Sequence, residues 1–140
     1  MPIIHQLTAS EILDSRGRPT LKATCLLAGG AVGAASVPSG ASTGSSEALE
    51  LRDGDPRRYR GLGVRQAAAH VNREMNERLT GCQFETSQAL DAAMVTLDGT
   101  PDKRRLGANA ILAVSLAFAR AFASERRQPL YEYFLSLIHI

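Results

Sequence analysis

Cysteine is scarce: the chain contains only Cys25 and Cys82. Two thiols are too few for a disulfide framework and have no metal-ligand spacing, so reduced side chains in a cytosolic setting are expected. The three histidines, His5, His70 and His139, share no ligand spacing either. Long apolar runs are missing, and no stretch approaches the roughly twenty residues needed to cross a bilayer. The opening Met1-Pro2-Ile3-Ile4-His5-Gln6 lacks the basic-then-apolar layout of a signal peptide. A soluble, cytoplasmic protein with no membrane span is therefore expected. Charge of one sign is not in excess, because sixteen basic residues face fourteen acidic ones for a net +2. Arginines gather at Arg57, Arg58, Arg60 and Arg65, and again at Arg104, Arg105, Arg126 and Arg127. Aromatics are only 5% of the chain and do not interleave with them, so nucleic acid is not an expected partner. No nucleophile stands beside a base at a recognisable spacing.

What remains, 44% hydrophobic and 21% charged over 140 residues, fits one globular domain that buries roughly two thirds of its unfolded surface. From Ile3 to Leu13 apolar residues fall mainly at odd positions (Ile3, Leu7, Ala9, Leu13), as in a half-buried strand, although Ile4 and Ile12 blur the pattern. Asp14-Ser15-Arg16-Gly17-Arg18-Pro19 supplies turn chemistry. Leu21, Ala23, Cys25 and Leu27 then alternate cleanly against Thr20, Lys22 and Thr24. Ala28-Gly29-Gly30 predicts a short hairpin connection into a third strand from Ala31 to Val37, which Pro38 ends.

The second half reads as helical. Ser45 or Ser46 can cap a short helix through Glu47, Ala48, Leu49 and Leu51, stopped by Asp53-Gly54-Asp55-Pro56. Helical spacing returns at Val64, Ala68, Val71, Met75 and Leu79, with Gly81 as the stop. Thr86 or Ser87 can cap a helix whose inner face is Leu90, Ala93 or Met94, and Leu97. A last helix spans about 107–126, and its small start, Gly107-Ala108-Asn109-Ala110, suits close contact with another backbone. Strands first and helices after, without alternation, predict an α+β fold: a three-stranded antiparallel meander followed by a layer of about four helices.

Between the halves lies Ser39-Gly40-Ala41-Ser42-Thr43-Gly44, whose glycines and hydroxyls predict a loop. It is not a phosphate-cradling P-loop, because Ser45 stands where the lysine is required. Its hydroxyl and carbonyl oxygens are hard donors suited to Mg²⁺. Glycine-rich loops can also close over a substrate and exclude water. Composition alone favours a plain connector. Glu47, Glu50, Asp53 and Asp55 form a second candidate cation patch, for which a helix start and its turn are a sufficient explanation.

Several motifs share one order and spacing. They are Asp14-Ser15-Arg16-Gly17 with Pro19-Thr20, then Pro38-Ser39-Gly40-Ala41-Ser42-Thr43-Gly44, then Glu50-Leu51-Arg52-Asp53-Gly54-Asp55. Leu97-Asp98-Gly99-Thr100, Gly107-Ala108-Asn109-Ala110-Ile111-Leu112-Ala113-Val114-Ser115 and Pro129-Leu130-Tyr131 continue the series. Together, over residues 3 to 134, they resemble the amino-terminal domain of enolase. The resemblance implies phosphopyruvate hydratase, a glycolytic lyase that interconverts 2-phosphoglycerate and phosphoenolpyruvate. It also implies that the catalytic lysine and glutamate lie in a carboxy-terminal barrel, so no catalytic residue is expected in this chain. Ser42 matches the family's loop serine that ligates a second Mg²⁺. Ser39, Gly40, Ala41, Thr43 and Gly44 match the rest of that lid, which reverses the preference for a connector.

Two positions depart from the family pattern. Many enolases have an arginine where this chain has Ser10 and a glutamate where it has Lys22, and both make ion pairs across a homodimer. The expected homodimer is thereby weakened or rewired. Residues 135–140, Leu-Ser-Leu-Ile-His-Ile, do not resemble the family's continuation. The expected organisation is an enolase amino-terminal-like domain at 1–134 and an atypical tail at 135–140, inactive in isolation because the barrel is missing. The alternative is a short non-catalytic interaction module with the same fold.

Overall fold

The computed structural model describes residues 2–37, 49–127, 129, 130 and 132. Three strands, β1 (Ile4–Leu13), β2 (Pro19–Leu27) and β3 (Val32–Ser36), form one antiparallel sheet in that order. Helices follow at α1 (Arg65–His70), α2 (Asn76–Leu79), α3 (Ser87–Asp98) and α4 (Ala108–Glu125). A π-helical stretch, Val71–Met75, joins α1 to α2. The meander and helical layer agree with the α+β expectation.

β1 explains the blurred alternation. Its register with β2 slips between Ile4 and Gln6, and this irregularity at His5 lets both Ile4 and Leu7 reach the core, at 0% and 1% exposure. Leu13, expected inside, is exposed. In β2 the predicted row Leu21, Ala23, Cys25 and Leu27 is buried without exception, and burial pushes the Cys25 thiol up to about 12, which makes it an inert core side chain. The intervening turn is held by Asp14, whose Oδ1 accepts the amides of Arg16 and Arg18 at 2.8 and 2.9 Å.

α4, α1 and the π-helical stretch meet this sheet and α3 packs on α4, with Val64, Val71, Met75, Leu90, Met94, Val114 and Phe118 all buried. Phe118 also stacks edge-on against Phe84. α4 crosses β3 so closely that Gly33 faces the helix backbone: a Cβ there would overlap the Ala121 nitrogen and the Ala117 carbonyl oxygen. The open edge of the sheet along β1 is guarded differently. Asn76 Oδ1 accepts the Leu7 amide at 2.8 Å, while Asn72 accepts the Ala9 amide and donates to the Ala9 carbonyl at 2.8 and 2.9 Å. Two asparagine side chains thus stand in for a fourth strand along β1.

The short helix expected through Leu49 and Leu51 is corrected: residues 49–55 have no helical structure, and residues 45–48 of that expectation lie outside the described residues. The physical reason is that the backbone groups at Leu49 and Leu51 are bonded to the α4 region instead of to each other. The helix beginning at Arg65 is likewise capped from afar, with Asp53 accepting the Arg65 and Gln66 amides at 2.9 Å each. α3 behaves as predicted, with the Thr86 hydroxyl accepting the Ala89 amide at 3.1 Å and Gly99 closing the helix at φ 74°.

Candidate functional site

The predicted site residues Ser39, Gly40, Ala41, Ser42, Thr43 and Gly44 lie outside the described residues. The described chain does show how the ends of segment 38–48 are held. At the first end Val37 is buried; its amide donates to Leu21 O at 2.9 Å and its carbonyl accepts the Thr20 hydroxyl at 2.6 Å. That fixes it to β2 even though β3 ends at Ser36.

The second end is tied to the start of α4. Leu49 donates its amide to Asp102 O and accepts the Ala108 amide, both at 2.8 Å. Asn109 then brackets Leu51, accepting its amide at 3.0 Å and donating to its carbonyl at 3.1 Å. Gly107 explains the small residues there: at φ 102°, a Cβ would lie 2.6 Å from Leu51 Cβ. Arg52 continues the tether by donating to Pro19 O and Leu62 O at 2.8 Å each and pairing with Glu50 at 2.9 Å.

Asp98, only 2% exposed, organises the turn that carries Asp102. It accepts the Thr100 amide at 2.9 Å, the Leu106 amide at 2.8 Å and the Thr100 hydroxyl. Burial alone would raise its pKa, but these hydrogen bonds and the Arg105 charge outweigh burial and hold the carboxyl below its ordinary value. Arg105 in turn donates to Asp98 O at 2.9 Å and forks onto Glu74 at 2.9 and 2.7 Å. Glu74 is held below the usual carboxylate range chiefly by that Arg105 hydrogen bond.

The acidic run is committed elsewhere. Glu50 pairs with Arg52, Asp53 caps α1 and Asp55 pairs with Arg57; Glu47 is outside the described residues. Among the described residues no group of three or more His, Cys, Asp or Glu side chains is placed to hold a metal ion. Ser42, the residue to which the resemblance gives Mg²⁺, lies outside the described residues. Ser10 and Lys22, the two departures from the family pattern, face each other in the β1–β2 register on exposed positions. Among the described residues no helix is long and apolar enough to cross a membrane.

The family model described as "Enolase, N-terminal domain" matches residues 4–134. The chain belongs to the enolase family. Enolases from Legionella pneumophila strains Corby and Paris are each 58% identical to it over 128 residues, and that of strain Lens is 57% identical over the same length. Each alignment covers 91% of this chain and 30% of the relative, so the chain spans under a third of the length of these enolases.

Within this enolase-family domain the sequence singled out residues 39–44 but missed what holds the chain on either side of them. Asn109 carried a readable signal, an amide side chain at the first turn of a helix beside a glycine. Asp98 carried one too, as a carboxylate just before Gly99-Thr100. Neither signal names the remote partner, which only the fold supplies.

Proposed function

We propose that this chain provides the amino-terminal, loop-bearing domain of an enolase acting as a phosphopyruvate hydratase, with 2-phosphoglycerate and phosphoenolpyruvate as its reacting pair. The observation that carries this reading is the family match across 4–134, which spans the whole loop and both of its tethers. In this reading Ser42 offers its hydroxyl and carbonyl oxygens to Mg²⁺, and Ser39, Gly40, Ala41, Thr43 and Gly44 let the segment approach the substrate. The ion, when bound, supplies charge stabilisation to the substrate carboxylate. The catalytic base and acid belong to the barrel domain, so the 140-residue chain alone is inactive. The protein works in the cytoplasm.

The test is a full-length chimaera in which residues 4–134 of this chain replace the matched domain of the Legionella pneumophila enolase. Phosphoenolpyruvate formation from 2-phosphoglycerate is expected. Ser42→Ala in that chimaera should raise the Mg²⁺ concentration needed for half-maximal rate and lower turnover by about tenfold or more. An unchanged Mg²⁺ dependence would remove Ser42 from the metal site.

The same domain bears one face of a homodimer. Exposed Lys22, opposite Ser10 and not a glutamate, would meet a cationic partner side chain in the usual arrangement. Lys22→Glu in the chimaera is expected to shift the monomer–dimer equilibrium toward dimer by about five- to tenfold, read by analytical ultracentrifugation at low salt. A shift toward monomer would mean that the partner presents an acid there.

A further inference from the structure

The two edges of the sheet differ. Along β3, Leu27 donates to Ala31 O and Val37 donates to Leu21 O, both at 2.9 Å. Between these two pairs, Cys25 and Gly33, and then Ala23 and Ala35, face each other as hydrogen-bonded partners. Val32, Ala34 and Ser36 therefore turn their backbone N–H and C=O groups away from β2, toward the open edge. On β1 the corresponding outward groups, at Leu7 and Ala9, are taken by Asn76 and Asn72. On β3 Arg120 Nη1 donates to Ala34 O at 3.1 Å, and no hydrogen bond among the described residues reaches the outward groups of Val32 or Ser36.

β3 carries none of the usual devices that blunt an edge. Its register with β2 runs without a bulge, and Val-Gly-Ala-Ala-Ser contains neither proline nor a charged side chain. Its small side chains leave the backbone within reach, and Val32 stands 52% exposed. Gly33 faces α4, so alternation puts Val32, Ala34 and Ser36 on the outer face of the sheet. In an added strand, residues paired with Val32 and Ala34 would share that outer face. The residues between them would point to the α4 side, where Arg120 is exposed.

An unpaired edge is a template for another strand, and charge selects which strand. Two copies joined antiparallel about Ala34 would bring both Arg120 guanidiniums to the same pair of carbonyls, a like-charge contact. A segment with carboxylates on its α4 side gives Arg120 a stronger acceptor and frees Ala34 O for the ladder. An apolar residue paired with Val32 covers that side chain.

We infer that the β3 edge is a docking surface for an extended acidic peptide, which adds as a fourth strand with apolar side chains toward Val32 and carboxylates toward Arg120. Docking at this edge requires no enolase activity.

The probe is the capped peptide Thr-Glu-Val-Glu-Ile-Thr. In an antiparallel register its valine pairs with Ala34, its isoleucine with Val32 and its first threonine with Ser36. Hydrogen–deuterium exchange of the 140-residue chain is followed amide by amide by NMR. Saturating probe is expected to slow Val32, Ala34 and Ser36 by about tenfold and to leave Gly33 and Ala35, which already donate to β2, unchanged. Fluorescence anisotropy of the labelled probe should show binding at least about fivefold tighter than that of Thr-Gln-Val-Gln-Ile-Thr. Arg120→Glu should reverse the charge preference in favour of Thr-Lys-Val-Lys-Ile-Thr. A probe N-methylated at its valine cannot donate to Ala34 O and should not bind, a test that leaves the protein unaltered. The labelled probe should bind the full-length chimaera as it binds the 140-residue chain. Absent or uniform slowing across residues 32–36, equal binding of the acidic and uncharged probes, or binding of the N-methylated probe overturns the proposal. Binding by the 140-residue chain and not by the chimaera also overturns it, by showing that the assembled enzyme covers the edge. Slowing that appears without probe and grows with protein concentration overturns it in favour of a second copy of the chain.

Discussion

Gly33→Ala is expected to lower the melting temperature by about 10 °C, equivalent to about 3 kcal/mol for a domain of this size. The added methyl would overlap the Ala121 nitrogen and the Ala117 carbonyl oxygen and lie 2.9 Å from Ala121 Cα. Those are backbone atoms in the middle of α4, so no rotamer change relieves the clash. Either α4 lifts from β3 or β3 shifts against β2. Lifting α4 would loosen Phe118 and Phe122, both buried on that helix. Thermal unfolding followed by circular dichroism checks the prediction, and a change of under 2 °C would mean that α4 rides farther from β3 than described here.

Asp98→Ala is expected to cost about 3 kcal/mol at neutral pH, because it leaves the amides of Thr100 and Leu106 without their acceptor. Its pH dependence has a defined sign. The folded-state pKa of Asp98 is lowered, so the unfolded chain binds more protons between the two pKa values, and stability rises with pH through that window. The contribution is complete above the unfolded value of about 3.9 and is lost as pH falls through the folded one. The gap between wild type and Asp98→Ala should therefore narrow only in acid. Denaturant titrations from neutral pH down to about 3 measure it. A gap that stays constant across that range would assign the loss to packing. The variant also unpins the turn bearing Asp102, and with it the Leu49 tether.

The two halves of the sequence were legible for different reasons. Period-two alternation in β2 and helical spacing at Val71, Met75 and Leu79 reflect burial on one face, a signal each segment carries by itself. Residues 49–55 were misread because a serine cap at Ser45 or Ser46 and the Asp53-Gly54-Asp55-Pro56 stop suggested a helix, while the hydrogen bonds of Leu49 and Leu51 go to Asp102, Ala108 and Asn109, more than fifty residues away. Local propensity has no access to such partners. The left-handed pair Tyr59 and Arg60, φ 51° and 53°, was equally unreadable, since neither residue type announces that conformation. At the candidate site, composition singled out residues 39–44, which lie outside the described residues, while the partners of Asn109, Asp98 and Arg52 could not be read from it. Ser10 and Lys22 were noticed only against a family pattern, and the register of β1 with β2 then set them side by side.

The chain is pinned on both sides of residues 38–48. The bonds at Val37, Leu49 and Leu51 belong to the domain's own strand, turn and helix, so the scaffold stays closed whatever lies between them. A longer intervening chain adds little closure entropy, about 0.6 kcal/mol for each doubling of its length. Closure of the scaffold therefore rests on the residues at the two ends, and substitutions at Val37, Leu49, Leu51 or Asn109 are felt as losses of folding stability whatever the length of the chain between them.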